Sequence, residues 1–422
     1  MTVIRKCEIR IDVQDRTRIV GFDMTRTRFP GDDGLFALFL QGRLETGGVK
    51  PKRLEIRYQN RRLDRIKLGV SKAKPQANFE IGLNLLGGPV SGSMDVVAVF
   101  GPGDAVRVAE IHVERERIES GYKPAMAPVI LSSMGRSGTT WFMHLLGKHP
   151  GIYIHDEYPH ELLGAFYWVN MLESLTTPLA ADRIMSKWKM RDHTGKSIRT
   201  HVYYRQGAPD PILRYLGGAY IPQMAAFCQQ SIDHFYQALS NVKSASSGSP
   251  IRYFSEKSLP FPSLIKELYA DAKEVFLIRD IRDNICSALA FNAKRGTQDF
   301  GRESTVSDDE FAAYRCAEFR SLYQSCLANR DTALLVRYED LVADPAAAAS
   351  RVLQYLGLED SAATVAAMVN QARASDSNLD FHKTSASPVR SVQRWRKELP
   401  QSIAQTCLRL AGDELRALKY QE

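Results

Sequence analysis

The sequence predicts an α/β protein: a mostly parallel sheet with helices on both faces, preceded by a small antiparallel β-sandwich. Three observations carry this. From Pro128 onward, short apolar runs alternate with stretches of helical spacing, as in a parallel sheet built from strand–helix units. Before about residue 120, short alternating segments are separated by Gly, Pro and Asp turns, the pattern of an antiparallel sandwich. Between the two lies a charged stretch, Glu114–Lys123 (ERERIESGYK), that reads as a linker. The expected domains are therefore 1–120 and 125–422.

In the first part the expected strands are Cys7–Val13, Leu35–Leu44, Arg53–Tyr58, Asn78–Leu83, Met94–Phe100 and Arg107–Val113. Turn residues such as Gly47-Gly48 and Gly101-Pro102-Gly103-Asp104 divide them. The segment Pro51–Lys67 is the most basic here, and reads either as a solvated strand face or as a surface for an acidic glycan or a membrane. In the second part the strands are expected around Val129–Leu131, Gly151–His155, Pro250–Ser255, Glu274–Arg279 and Ala333–Tyr338. Helical spacing follows at Thr139 onward, Phe261–Tyr269, Asp283–Lys294 and Pro345–Leu356. Residues 160–245 are mostly helical in pattern and rich in aromatic side chains, an insertion able to wall a pocket or to pack as core.

The run Pro128–Pro150, PVILSSMGRSGTTWFMHLLGKHP, is strand, tight loop and helix in sequence. A loop bracketed by Gly135 and Gly138 and feeding a helix N-terminus turns unpaired backbone N–H groups toward one point, where the helix dipole adds positive potential. Ser137, Thr139 and Thr140 add hydroxyl donors, and Arg136 a fixed positive charge with fork geometry. This is a cradle for an anion, most naturally phosphate. It departs from the loop that binds nucleoside triphosphates, because Gly138 is followed by Thr139 rather than the lysine that loop needs. Farther on, Arg279 ends a strand and Ser287 lies two turns along the next helix, so the two can converge on a second phosphate.

The stretch GRSGTTW resembles the 5′-phosphosulfate loop of sulfotransferases that use 3′-phosphoadenosine 5′-phosphosulfate (PAPS). LIRDIRDNICS is similar to their 3′-phosphate motif, an arginine at a strand end paired with a serine on the following helix. The resemblance spans about 128–400. It includes Val336–Leu341 (VRYEDL), whose Tyr338 is either a ring near adenine or a core ring with a satisfied hydroxyl. It also includes Val389–Pro400 (VRSVQRWRKELP), similar to the segment that closes over the nucleotide, and Glu256-Lys257-Ser258, similar to an E-K-[ST] element. The resemblance implies a P-loop-like fold with PAPS as co-substrate. The implied donor-binding residues are Arg136, Ser137, Gly138, Thr139, Thr140, Trp141, Arg279, Ser287, Tyr338, Ser391 and Arg394. Arg390, Arg396 and Lys397 read as solvated helix charges.

Sulfuryl transfer needs positioning and charge stabilisation more than covalent catalysis. The catalytic assignments are Arg136 on the transferred group, Lys257 reaching the sulfuryl group or positioning the acceptor, and Glu157 as the base for the acceptor hydroxyl. His155, His160 and Glu161 are its rivals. No H-E-x-x-H occurs and the carboxylates are not spaced as a ligand set, so no metal is expected. The loop's arginine, where small-molecule cytosolic members have lysine, places the resemblance nearer the carbohydrate, tyrosylprotein and bacterial types. Together with the sandwich, it favours a glycan or glycolipid acceptor. A nucleotide or sugar kinase is the alternative, weakened by the missing loop lysine. A noncatalytic nucleotide- or glycan-binding protein is another, at odds with the intact set of Arg136, Ser137, Thr140, Arg279 and Ser287.

The composition agrees. A net charge of +8 suits an anionic ligand, and 44% hydrophobic with 25% charged residues is that of a globular protein, with nothing that implies a nucleic-acid partner. Six scattered cysteines without a C-x-x-C pair read as reduced thiols. The N-terminus lacks an apolar signal core, and no run approaches a membrane span. The expectation is a cytoplasmic protein with at most peripheral membrane contact.

Overall fold

The computed structural model describes residues 3–28, 36–68, 75–101, 103–155, 157, 162–176, 190–191, 197–198, 219–244, 251–257, 259–305, 307–374 and 383–420. The chain divides into two compact units. One comprises Met1–Lys123, Tyr167–Ile232 and Pro260–Ala270, the other Pro124–Phe166, Asp233–Leu259 and Asp271–Glu422.

Among the described residues, the Met1–Lys123 part of the first unit holds eight strands: β1 (Ile4–Ile11), β2 (Ile19–Arg26), β3 (Ala37–Thr46), β4 (Arg53–Tyr58), β5 (Arg61–Lys67), β6 (Gln76–Asn84), β7 (Ser91–Gly101) and β8 (Asp104–Arg115). They pair antiparallel in two sheets, β1-β8-β7-β4-β5 and β2-β3-β6. Alternate side chains of both sheets, such as Leu38 and Leu40 from β3 and Val96 and Ala98 from β7, meet in one apolar core. The strands β2 and β5 go beyond the sequence reading. The basic segment is a hairpin turned at Gln59 and Asn60, both in the left-handed region at φ 50° and 61°. Much of its charge has an internal partner. Arg53 and Arg57 each approach the Glu55 carboxylate to 2.6 Å, and Arg62 lies 3.9 Å from it, so that Glu55 is buried.

At the end of β8 the side chains of Arg115 and Glu267, 0% and 4% exposed, form a bidentate pair at 2.8 and 2.7 Å. Arg115 also donates to the carbonyls of Gly88 and Glu116, and Glu267 accepts the Ile118 N–H. Both charges are removed from water and matched to each other.

The second unit is built on five parallel strands: β9 (Ala127–Ser133), β10 (Ile152–Tyr153), β11 (Tyr253–Glu256), β12 (Lys273–Ile278) and β13 (Ala333–Arg337). Their order is β10-β11-β9-β12-β13. The apolar runs are continuous because both faces are covered. Along β12, Val275 and Leu277 enter a core shared with the helices Thr139–Leu146, Pro345–Leu356 and Ala362–Ala374. Phe276 and Ile278 enter the opposite core, with Ile281–Arg295, Asp308–Ala328 and Gln401–Ala417. From β9 the chain moves outward to β10, whereas β12 leads the other way to β13. The strand order therefore reverses between β9 and β12, and ligands bind outside the strands' carboxyl ends at such a point. Among the described residues no helix is long and apolar enough to cross a membrane.

Glu267→Ala is expected to strand the buried Arg115 charge and cost about 3–5 kcal/mol. Urea unfolding of the variant against the parent chain measures this.

Candidate active site

The loop after β9 is shaped by two backbone positions. Gly138 stands at φ 88° before the helix Thr139–Leu146, and a Cβ there would lie 2.4 Å from a ring carbon of Tyr338. Arg136, although not glycine, takes φ 71°, a conformation that costs energy and marks a constrained loop. No side chain caps the helix at Gly138, so its first N–H groups remain available to a ligand.

A cavity of about 710 Å³, counted to its open mouth, lies against this loop. Arg136, Gly138, Thr139, Thr140 and Trp141 form one wall; Arg279, Ser287, Tyr338 and Ser391 complete it. The two motifs, far apart in sequence, thus face one space. Arg136 Nε donates to Ser287 Oγ at 3.2 Å, and its guanidinium lies over the Phe291 ring. Arg279 donates to the carbonyls of Arg136 (3.0 Å) and Ser391 (2.6 Å), while its guanidinium lies over the Tyr338 ring. Its Nε is buried without a hydrogen-bond partner among the described residues. The Tyr338 hydroxyl bonds Ser391 Oγ at 2.8 Å, so Tyr338 is both a packed ring and part of the cavity wall.

The electrostatics of this wall are dominated by arginine. Burial, and then the neighbouring charges of Arg279, Arg394 and Arg295, draw the Arg136 guanidinium down to about 10, partly opposed by Tyr338.

Other expected residues lie elsewhere. Ser137 is buried and accepts from Asn284 Nδ2 at 3.1 Å, away from the cavity wall. Arg394 donates to Glu398 (2.5 and 2.9 Å) and to Thr384 Oγ1 (3.0 Å), also off the wall. Lys257 is half-buried just after β11, and Glu157 is exposed; neither lines the cavity. His155 is half-buried, whereas His160, Glu161 and Ser258 lie outside the described residues. Glu256 is fully buried and accepts the N–H groups of Ala165 and Phe166 and the Tyr236 hydroxyl, anchoring the start of a helix. Arg390, Arg396 and Lys397 are exposed.

Several wall residues escaped the sequence reading. Lys383, Thr384, Ser385, Ser387 and Pro388 also line the cavity. Their run, KTSASP, repeats the cation-and-hydroxyl composition of the loop, a signal available but not used. Asp283 is buried and accepts the backbone N–H groups of Gln393 (2.7 Å) and Trp395 (2.9 Å), tying this segment to the helix that carries Ser287. Burial pushes its carboxyl up to about 6. Among the described residues no group of three or more His, Cys, Asp or Glu could hold a metal ion.

The model of the sulfotransferase family matches residues 128–362, more than half of the chain. The chain belongs to the sulfotransferase family. A search of curated proteins finds no match. Among solved structures, the chain is similar to the sulfotransferase domain of the Synechococcus PCC 7002 olefin synthase, with 18% identity and a TM-score of 0.39 over 73% of this chain and 100% of that one. It is also similar to mouse sulfotransferase SULT7A1, solved in complex with PAP, with 12% identity and a TM-score of 0.38 over 70% and 87%. A third is sulfotransferase STF9 from Mycobacterium avium, with 13% identity and a TM-score of 0.36 over 71% and 78%.

The raised Asp283 pKa has a definite sign in stability. Between its ordinary value of 3.8 and about 6, the folded chain keeps a proton that the unfolded chain has released. This carboxyl therefore lowers stability as pH rises through that window. Asp283→Asn is expected to flatten that part of the stability–pH curve, whatever its effect on absolute stability. Urea unfolding between pH 4 and 7 (roughly the window and one unit beyond) tests it, and an unchanged slope would remove Asp283 as its source.

Proposed function

We propose that this chain transfers the sulfuryl group of PAPS to a hydroxyl of a glycan or glycolipid. The observation that carries the reading is one cavity walled by two separate anion-binding elements, the loop with Arg136 and the Arg279–Ser287 pair. The residues suit a nucleotide with charge at both ends. The uncapped helix start and Arg136 offer donors to the 5′ group, and Arg279, with a buried Nε still to satisfy, and Ser287 offer them to the 3′-phosphate. Membership of the sulfotransferase family sets sulfuryl transfer above the kinase alternative.

Arg136 in place of a loop lysine and the β-sandwich of the first unit support the glycan or glycolipid acceptor, in the manner of bacterial members. Six cysteines without a disulfide among them suit a reducing, cytoplasmic setting. Glu157 is our choice of base; its exposed carboxylate suits an acceptor arriving from solvent. Lys257, one residue beyond β11, is assigned to the sulfuryl group or the acceptor.

Thermal shift with the product nucleotide 3′-phosphoadenosine 5′-phosphate (PAP), ATP and AMP tests the donor. PAP should stabilise the chain most, and Arg279→Ala should remove that preference. Equal shifts with ATP would defeat the reading. Incubating the enzyme and PAPS with glycan and glycolipid pools, and following sulfate incorporation by mass spectrometry, tests the acceptor class. With an acceptor so found, Glu157→Gln should lower kcat by roughly 10²–10⁴-fold with PAP affinity unchanged. A kcat close to that of the parent would pass the role of base to His155 or its neighbours.

A further inference from the structure

The Gly135 carbonyl is gripped from two sides. Asn284 Nδ2 donates to it at 3.0 Å and Arg315 donates to it at 2.9 Å. The two side chains are joined to each other, because the same Arg315 nitrogen donates to Asn284 Oδ1 at 2.6 Å. Asn284 also donates to Ser137 Oγ, so it spans the loop on either side of Arg136. Both residues are almost wholly buried, Asn284 at 1% and Arg315 at 2% exposure. The other fork of Arg315 is held by Glu318 at 2.6 Å, and Glu318 accepts in turn from the Tyr314 hydroxyl. Gly135 itself packs against the Phe300 ring, leaving no room for a side chain.

In a planar trans peptide the C=O and the next N–H point in opposite directions. Drawing the Gly135 carbonyl toward Asn284 and Arg315 turns the Arg136 N–H away from them. A buried guanidinium beside a phosphate-binding loop would be a rival ligand for the anion's charge if it faced the cavity, but Arg315 and Asn284 lie off its wall. Their hydrogen bonds instead remove an oxygen that would repel an anion. They also offset the cost of the left-handed backbone at Arg136.

We infer that Asn284 and Arg315 are positioning residues of the donor loop, which orient the Gly135–Arg136 peptide so that its N–H faces the 5′ group of the nucleotide. They act through the loop and touch no substrate. The inference rests on the donor assignment above, and it separates the two ends of the nucleotide: the clamp serves the 5′ end, Arg279 the 3′ end.

The test compares two probes on the full chain by calorimetry: PAP, and adenosine 3′-monophosphate, which lacks the 5′ group. Asn284→Ala removes the two hydrogen bonds that Asn284 gives the loop, to the Gly135 carbonyl and to Ser137 Oγ. Arg315→Lys keeps the charge but loses the planar fork that reaches Gly135, Asn284 and Glu318 together. Each variant should weaken PAP binding by roughly tenfold or more, the scale of one lost charge-assisted hydrogen bond. Binding of the 3′-monophosphate should stay within about twofold, under one-third of the free energy of a tenfold change. The second variant guards against a failure of the first to fold. Equal weakening of both probes would mean loosened packing and overturn the inference, as would PAP binding unchanged in both variants. Failure of the parent chain to bind PAP would overturn the donor assignment first, and this inference with it.

Discussion

The constraint on which the site depends is the crowding of guanidinium groups at the carboxyl ends of β9 and β12. Arg279 directs its hydrogen bonds to two backbone carbonyls, and the neighbouring charge that acts most strongly on Arg136 is that of Arg279. Carbonyl and hydroxyl partners orient a guanidinium without neutralising it. Elsewhere the chain pairs arginines with carboxylates. Arg115 is matched to Glu267, Arg282 to Asp280, and Arg53 and Arg57 to Glu55. Those pairs satisfy structural needs of the fold, whereas Arg279 lies against two carbonyls and the Tyr338 ring.

Such crowding is tolerable only on a rigid support. The parallel sheet gives it, since β9 and β12 are neighbours hydrogen-bonded along their length and buried on both faces. The reversal of strand order leaves their carboxyl ends uncovered by a crossover, and there the loop and Arg279 meet. Tyr338, delivered by the end of β13, fills the space that a glycine at 138 leaves and carries Arg279 on its ring. Asp283 then fastens the Gln393–Trp395 segment to the same helix as Ser287. Sulfuryl transfer, which asks for placed charge more than for a covalent group, suits this arrangement.

Much of this was legible from local pattern. The five parallel strands were read within a few residues, and the helix Pro345–Leu356 to its ends, because continuous apolar runs and Pro–Gly punctuation are signals of the chain itself. The loop and the Arg279–Ser287 pair were legible because their chemistry is contiguous in sequence. The strands β2 and β5 were not: β5 (RRLDRIK) is mostly charged, and only the hairpin turn at Gln59–Asn60 and the partner Glu55 make it a strand. Arg315 offered no signal, since one arginine within a 21-residue helix reads as a solvated charge until the fold brings it to Gly135.

The sequence by itself determined the class of sheet, the glycine-bracketed loop and the spacing of Arg279 and Ser287, since hydrophobic period, glycine placement and the reach of a helix turn are short-range properties. Tertiary structure decided which of the basic and hydroxyl groups face the cavity. It turned Ser137 toward Asn284, matched Arg394 to Glu398 and brought Lys383 to Ser387 onto the wall. The reason is physical: which face of the fold a polar side chain meets depends on what else is buried beside it, and for Ser137 and Gly135 those neighbours come from elements more than a hundred residues away.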